Sequence, residues 1–164
     1  MRKTLEVIAL LVLVFPWAIT AWAVFGPNPL PARIPTHFNA AGQPDGWGVP
    51  AMLWLLPVIA TVIYLLMTLV ARYPAAFHFP VRTGPAARRQ LETIALEMLS
   101  WLKTEVVCLF AWIQFQTIRF ARSGQGVLSS LFLPAVLVVV FATISWHIRA
   151  MREVGRTSKP PGFR

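Results

Sequence analysis

Residues 5–25 read LEVIALLVLVFPWAITAWAVF, an apolar run broken only by Glu6 near its start and by Pro16 and Thr20 further on. A run of roughly 20 such residues is the length needed to cross a ~30 Å hydrocarbon core as a helix. Working outward, the pattern recurs at Pro50–Ala71, Met98–Phe120 and Val127–Ile148. The whole chain agrees: 57% of its residues are hydrophobic, 13% are charged, and its mean hydropathy is +0.63. A soluble domain of this length would need far more charge to cover its surface. In lipid every backbone polar group must find its partner inside the segment, so these runs predict an all-α membrane protein. The expectation is one integral domain over residues 1–164, a four-transmembrane-helix bundle with helices at about 5–25, 50–71, 92–120 and 127–149.

The first run has a second reading. Arg2 and Lys3 precede it and Ala21-Trp22-Ala23 stands near its end, as in a cleaved secretory signal peptide. The length of the run, Glu6, and Trp22 and Phe25 as interfacial anchors favour a retained helix. Pro16, Pro57 and Pro134 are expected to kink three of the helices.

Lys and Arg set the orientation. Arg2 and Lys3, then Arg72, Arg82, Arg88 and Arg89, then Arg149, Arg152, Arg156, Lys159 and Arg164 fall on one side of the predicted membrane; Arg33, Arg119 and Arg122 fall on the other. Both termini and the second loop are therefore expected in the cytoplasm, with the Pro/Gly-rich loop between helices 1 and 2 extracytoplasmic. The net charge of +9 reads as a topology signal and a match to anionic lipid at the cytoplasmic face, with no nucleic-acid partner, because the charges hug helix ends. Trp17, Trp22, Trp47 and Trp54 are expected near the outer interface, and Tyr73, Trp101 and Trp146 near the inner one. The single Cys108 is read as a small buried apolar residue within the third span. Residues 155–164, rich in Gly and Pro, read as a disordered tail.

Specialised residues concentrate in Ile34–Gly48, IPTHFNAAGQPDGWG. Gly26-Pro27-Asn28-Pro29-Leu30-Pro31 makes a stiff, non-helical exit from the first helix. Asp45-Gly46 is a strong turn signal, and Phe38 and Trp47 are positioned to fold back as a lid. The candidate ligand-binding residues are His37, Asn39, Asp45 and Trp47. His37, Asn39 and Asp45 can be argued into a metal site, yet zinc needs three or four His, Cys or carboxylate ligands and two good ones are present. A structured turn with an exposed histidine is favoured; no metal, cofactor or catalytic set is assigned.

The third run places charge inside the predicted membrane. It begins near Pro85, stays amphipathic through Glu92 and Glu97, and enters lipid around Met98. Ionisable side chains at such depth are expensive and are functional candidates by default. Lys103 can snorkel to the interface; Glu105 cannot, and His147 or Arg149 on the fourth helix stands at comparable depth, as does Glu6 on the first. Glu6, Lys103, Glu105, His147 and Arg149 form the candidate intramembrane polar cluster, read either as a proton- or ligand-responsive site or, preferentially, as an interhelical salt bridge that fixes packing.

Leu30-Pro31, Ile34-Pro35, His37-Phe38-Asn39 and Gly42-Gln43-Pro44-Asp45-Gly46-Trp47-Gly48 together resemble the bacterial membrane module called domain of unknown function 1648, over about residues 8–60, which also stands at the N-terminus of SdpI-like immunity proteins. Tyr73-Pro74, Phe79-Pro80-Val81 and Trp101-Leu102-Lys103-Thr104-Glu105 look like short four-helix members of that group. Ala32 and Val49-Pro50 depart from the pattern, where an acidic residue and a Ser-Lys are usual. The resemblance implies a multi-pass bacterial inner-membrane protein, and by extension binding, sensing or toxin immunity in which the external loop recognises a peptide or envelope ligand. The alternatives are a small transporter using a polar path around Glu105, with Lys103 and Gln116, and, weakest, a membrane enzyme. A homodimer is expected for a transporter, since four helices are few for a solitary one.

Overall fold

The computed structural model describes residues 1–79, 84–124 and 129–157. The expectations for Pro80, Val81, Arg82, Val127, Lys159 and Arg164 lie outside these. Four helices dominate: α1 (Arg2–Phe25), α2 (Leu55–Val70), α3 (Pro85–Ser123) and α4 (Phe132–Thr157). Between α1 and α2 the chain forms strands β1 (Ile34–Phe38) and β2 (Pro44–Gly48), then a 3-10 turn at Pro50–Trp54 that runs into α2. The fold is mostly helical as expected, with one difference: the loop between α1 and α2 is an antiparallel hairpin pairing Ile34 with Gly48 and Phe38 with Pro44. The register shifts on both sides of His37, and Pro35 has no N–H to give the ladder, so the pairing is short and irregular.

Among the described residues, three segments are long and apolar enough to cross a membrane: Arg2–Phe25, Pro50–Val70 and Phe132–Thr157. This is a membrane protein on that ground. α3 does not qualify by composition, and the packing explains why. It runs for 39 residues, about 58 Å at 1.5 Å per residue, and packs against α1, α2 and α4. Its polar side chains Ser100, Lys103, Thr104, Gln114, Gln116 and Thr117 are buried. A helix surrounded by other helices needs partners more than apolarity, whereas α4, whose main packing is on α3, shows Leu137, Val138, Val139 and Phe141 on its open face.

Alanines bring the helices close. Ala9, Ala23 and Ala60 have no exposed surface, and small residues at such points let backbones approach. Two apolar cores result. One joins Leu13, Ala60 and Val107 from three helices; the other joins Ala23, Leu53 and Ile118 to Ile34 at the root of the hairpin.

Several boundaries move. α3 starts at Pro85, where the amphipathic lead-in to the third run was expected, and runs past the expected span of 92–120 to Ser123. α4 starts at Phe132 and runs on to Thr157, so residues 155–157 are helical rather than part of a disordered tail. Pro57 and Pro134 fall in the first turn of α2 and α4, where a missing N–H costs little, so only Pro16 is inside a helix. Thr20 donates its hydroxyl to the Pro16 carbonyl at 2.6 Å. Cys108 is exposed on the flank of α3 rather than buried.

Candidate functional site

The hairpin and the helix ends beneath it make the first candidate site. Asn39 closes the turn: its side-chain oxygen accepts the N–H of Ala41 and of Gln43, each at 3.0 Å, while its own N–H donates to the Gln43 carbonyl at 2.9 Å. Gly42 sits at φ 76°, a left-handed conformation that favours glycine. With its oxygen committed to the turn, Asn39 shapes the site more than it offers a contact. His37 and Asp45 face each other across the strands with Nδ1 and Oδ1 2.5 Å apart, both exposed to solvent. Nothing else closes round them: among the described residues no group of three His, Cys, Asp or Glu could hold a metal ion.

Phe38 and Trp47 do fold back, onto α3 rather than away from it. Their rings stand 6.4 Å and 6.1 Å from Phe120. Gly46 and Gly48 are required by close approach: a Cβ on Gly46 would lie 2.9 Å from His37 Cβ, and one on Gly48 would lie 2.8 Å from the Thr36 methyl. Trp17, Trp54 and Phe25 pack together at the same end of the bundle.

Under β1 lies a cavity of about 260 Å³, walled by Ile34–Phe38, by Met52, Leu53, Leu55 and Leu56, and by Ile113, Gln114 and Thr117 of α3. Gln114 is completely buried. Its amide nitrogen donates to Thr20 Oγ1 at 2.6 Å and to the Leu53 carbonyl at 3.0 Å. Its carbonyl oxygen has no partner among the described residues. An unpartnered buried acceptor is a cost, and this one stands in a cavity wall. Gln114 is the residue that sequence reading passed over as a site, although a glutamine within an apolar run was a visible signal.

The polar cluster of the lower half divides in two. Lys103, 1% exposed, does not snorkel: it pairs with Glu6, donates to Thr68 Oγ1 at 3.1 Å and lies 4.7 Å from the centre of the Tyr64 ring. Ser100 donates to the other Glu6 oxygen at 3.0 Å. This knot joins α1, α2 and α3. Glu105 belongs elsewhere, accepting from Thr143 Oγ1 of α4 at 2.5 Å, while His147 Nδ1 donates to the Thr143 carbonyl at 2.8 Å. The predicted direct pairing of Glu105 with His147 or Arg149 is thus replaced by a shared threonine, and Arg149 is exposed outside both groups.

Comparison with known proteins adds one family and one relative. Residues 11–61 match the family described as Domain of unknown function (DUF1648); that segment covers most of α1, the whole hairpin and the start of α2. An uncharacterized protein of Archaeoglobus fulgidus is 39% identical over 59 residues, covering 31% of this chain and 32% of that protein. The match therefore spans about a third of that relative. No solved structure matches.

Proposed function

We propose, for a chain whose residues 11–61 carry the match to domain of unknown function 1648, a multi-pass inner-membrane binding or sensing protein of the toxin-immunity type in bacteria. Its hairpin, facing outward, takes a peptide or envelope ligand. The observation that carries this reading is the cavity beneath the hairpin with Gln114 in its wall. An apolar side chain entering there is desolvated by Ile34, Leu53 and Leu56, and an N–H donor satisfies the idle Gln114 carbonyl. His37 and Asp45 at the rim supply the polar contacts, and Trp47, about half exposed, adds an aromatic surface. In this reading the role of the site is binding rather than catalysis.

In this reading the chain crosses the membrane four times. α3 crosses as the central helix, its polar groups sheltered by α1, α2 and α4. Arg2, Lys3, Arg72, Arg88 and Arg89, with Arg149, Arg152 and Arg156, then form the cytoplasmic face, leaving Arg33, Arg119 and Arg122 outside. These basic side chains meet anionic lipid.

The test is a challenge of cells producing the protein with membrane-active cationic peptides, compared with His37→Ala, Asp45→Ala and the cavity-filling Met52→Trp at equal membrane abundance. Protection by the parent chain and its loss in Met52→Trp are expected. Equal protection by all three variants would sink the hairpin as the recognition site.

A further inference from the structure

The groove between α3 and α4 holds a carboxylate whose surroundings call for a positive charge. Glu105 Oε1 accepts from Thr143, whereas its Oε2 is buried without a hydrogen-bond partner among the described residues. Lys103, two positions before Glu105 in α3, is paired with Glu6. His147 turns its Nδ1 to the Thr143 carbonyl. A carboxylate oxygen held this way in an apolar setting is suited to a cationic partner.

Two cavities meet at this residue. One, of about 550 Å³, extends toward the hairpin end and is walled by Trp101, Glu105, Trp112, Phe132, Val136 and Val139 with other apolar groups. The second, of about 510 Å³, extends the other way, past Trp146 and His147 to Glu97, and shares Trp101, Glu105 and Val139 with the first. Both volumes fall in the range of small-molecule sites, about 300–1,000 Å³. The walls decide what fits. A hydrated magnesium or calcium ion needs about six oxygen ligands, and Glu105 is the single carboxylate of the larger cavity. Aromatic faces and aliphatic walls instead suit a cation whose charge is spread over an apolar body, held by cation–π contact and one carboxylate. A lipid tail would use the same walls but would leave Glu105 uncompensated.

We infer that the α3–α4 groove centred on Glu105 is a binding site for a monovalent lipophilic organic cation, of the quaternary ammonium or phosphonium class. The site stands apart from the hairpin cavity, and neither reading requires the other. Tetraphenylphosphonium is the probe, titrated calorimetrically into the full chain in lipid nanodiscs. Saturable binding is expected; Glu105→Gln weakens it about tenfold or more, and Glu92→Gln, at the far end of α3, leaves it unchanged. Tetraphenylborate, an anion of the same shape, is expected to give no saturable heat. Should Glu105→Gln fail to fold, Trp112→Leu keeps the charge and is expected to weaken binding several-fold through the lost ring. No saturable binding of the cation, equal binding by folded Glu105→Gln, or equal binding of the borate would each overturn the assignment; the last would mean a merely greasy groove.

Discussion

At the knot of Glu6 and Lys103 the two partners are unequal. The Lys103 side chain is 1% exposed and that of Glu6 33%. Removing the carboxylate strands a charge within the bundle, whereas removing the ammonium leaves a carboxylate that can still reach water near the chain start. Glu6→Gln is therefore expected to lower stability by about 3 kcal/mol, and Lys103→Met by about 1 kcal/mol, as read from denaturation in micelles. The double variant should behave like Lys103→Met. The reverse order of the single variants would show that Lys103 is not the buried member. Sequence reading had both residues as polar-cluster candidates but not as partners. They stand 97 positions apart, and pairing at that range is set by helix packing, which no local pattern encodes. Glu105 was expected to need a partner on α4 and has one, Thr143, a side chain too ordinary in a membrane helix to stand out.

The hairpin is the element on which the candidate site rests. Phe120 receives Phe38 and Trp47 on one ring, with each such aromatic contact worth about 0.5–1.5 kcal/mol. Phe120→Ala is expected to cost the hairpin about 2 kcal/mol of local stability and leave the helices intact. Faster amide exchange across residues 34–48, with unchanged exchange in α1 and α2, would show it; unchanged hairpin exchange would mean that Ile34 and Leu53 hold the hairpin unaided. A turn in this loop was legible from Gly42, but Asp45-Gly46, expected to form one, lies within β2 and pairs with β1, and the chain reverses at Asn39–Gln43 instead. The strands were not legible, because Pro35, Pro44 and two glycines among ten strand residues oppose strand propensity. Contact with α3, a long-range effect, stabilises them.

Over the whole molecule, apolar runs revealed α1, α2 and α4 because lipid selects for them residue by residue. α3 was read as the odd helix, and its oddness is its centrality. The proposed orientation, with the basic end inside, can be read by labelling. With Cys108→Ser as background, Ala41→Cys in the hairpin turn should react with an impermeant maleimide in intact cells, and Ala75→Cys only after lysis. Labelling of Ala75→Cys alone in intact cells would invert the topology.

The Glu6–Lys103 bond also sets a timetable. Ribosomes add about 5–20 residues per second, so Glu6 is made about 5–20 s before Lys103. Through that interval α1 sits in the bilayer with its acid unanswered, held near the surface or by the insertion machinery. Arrival of α3 is then the event that locks the first helix in place, and a chain stopped before residue 103 would present its opening helix to quality-control proteases as unfinished.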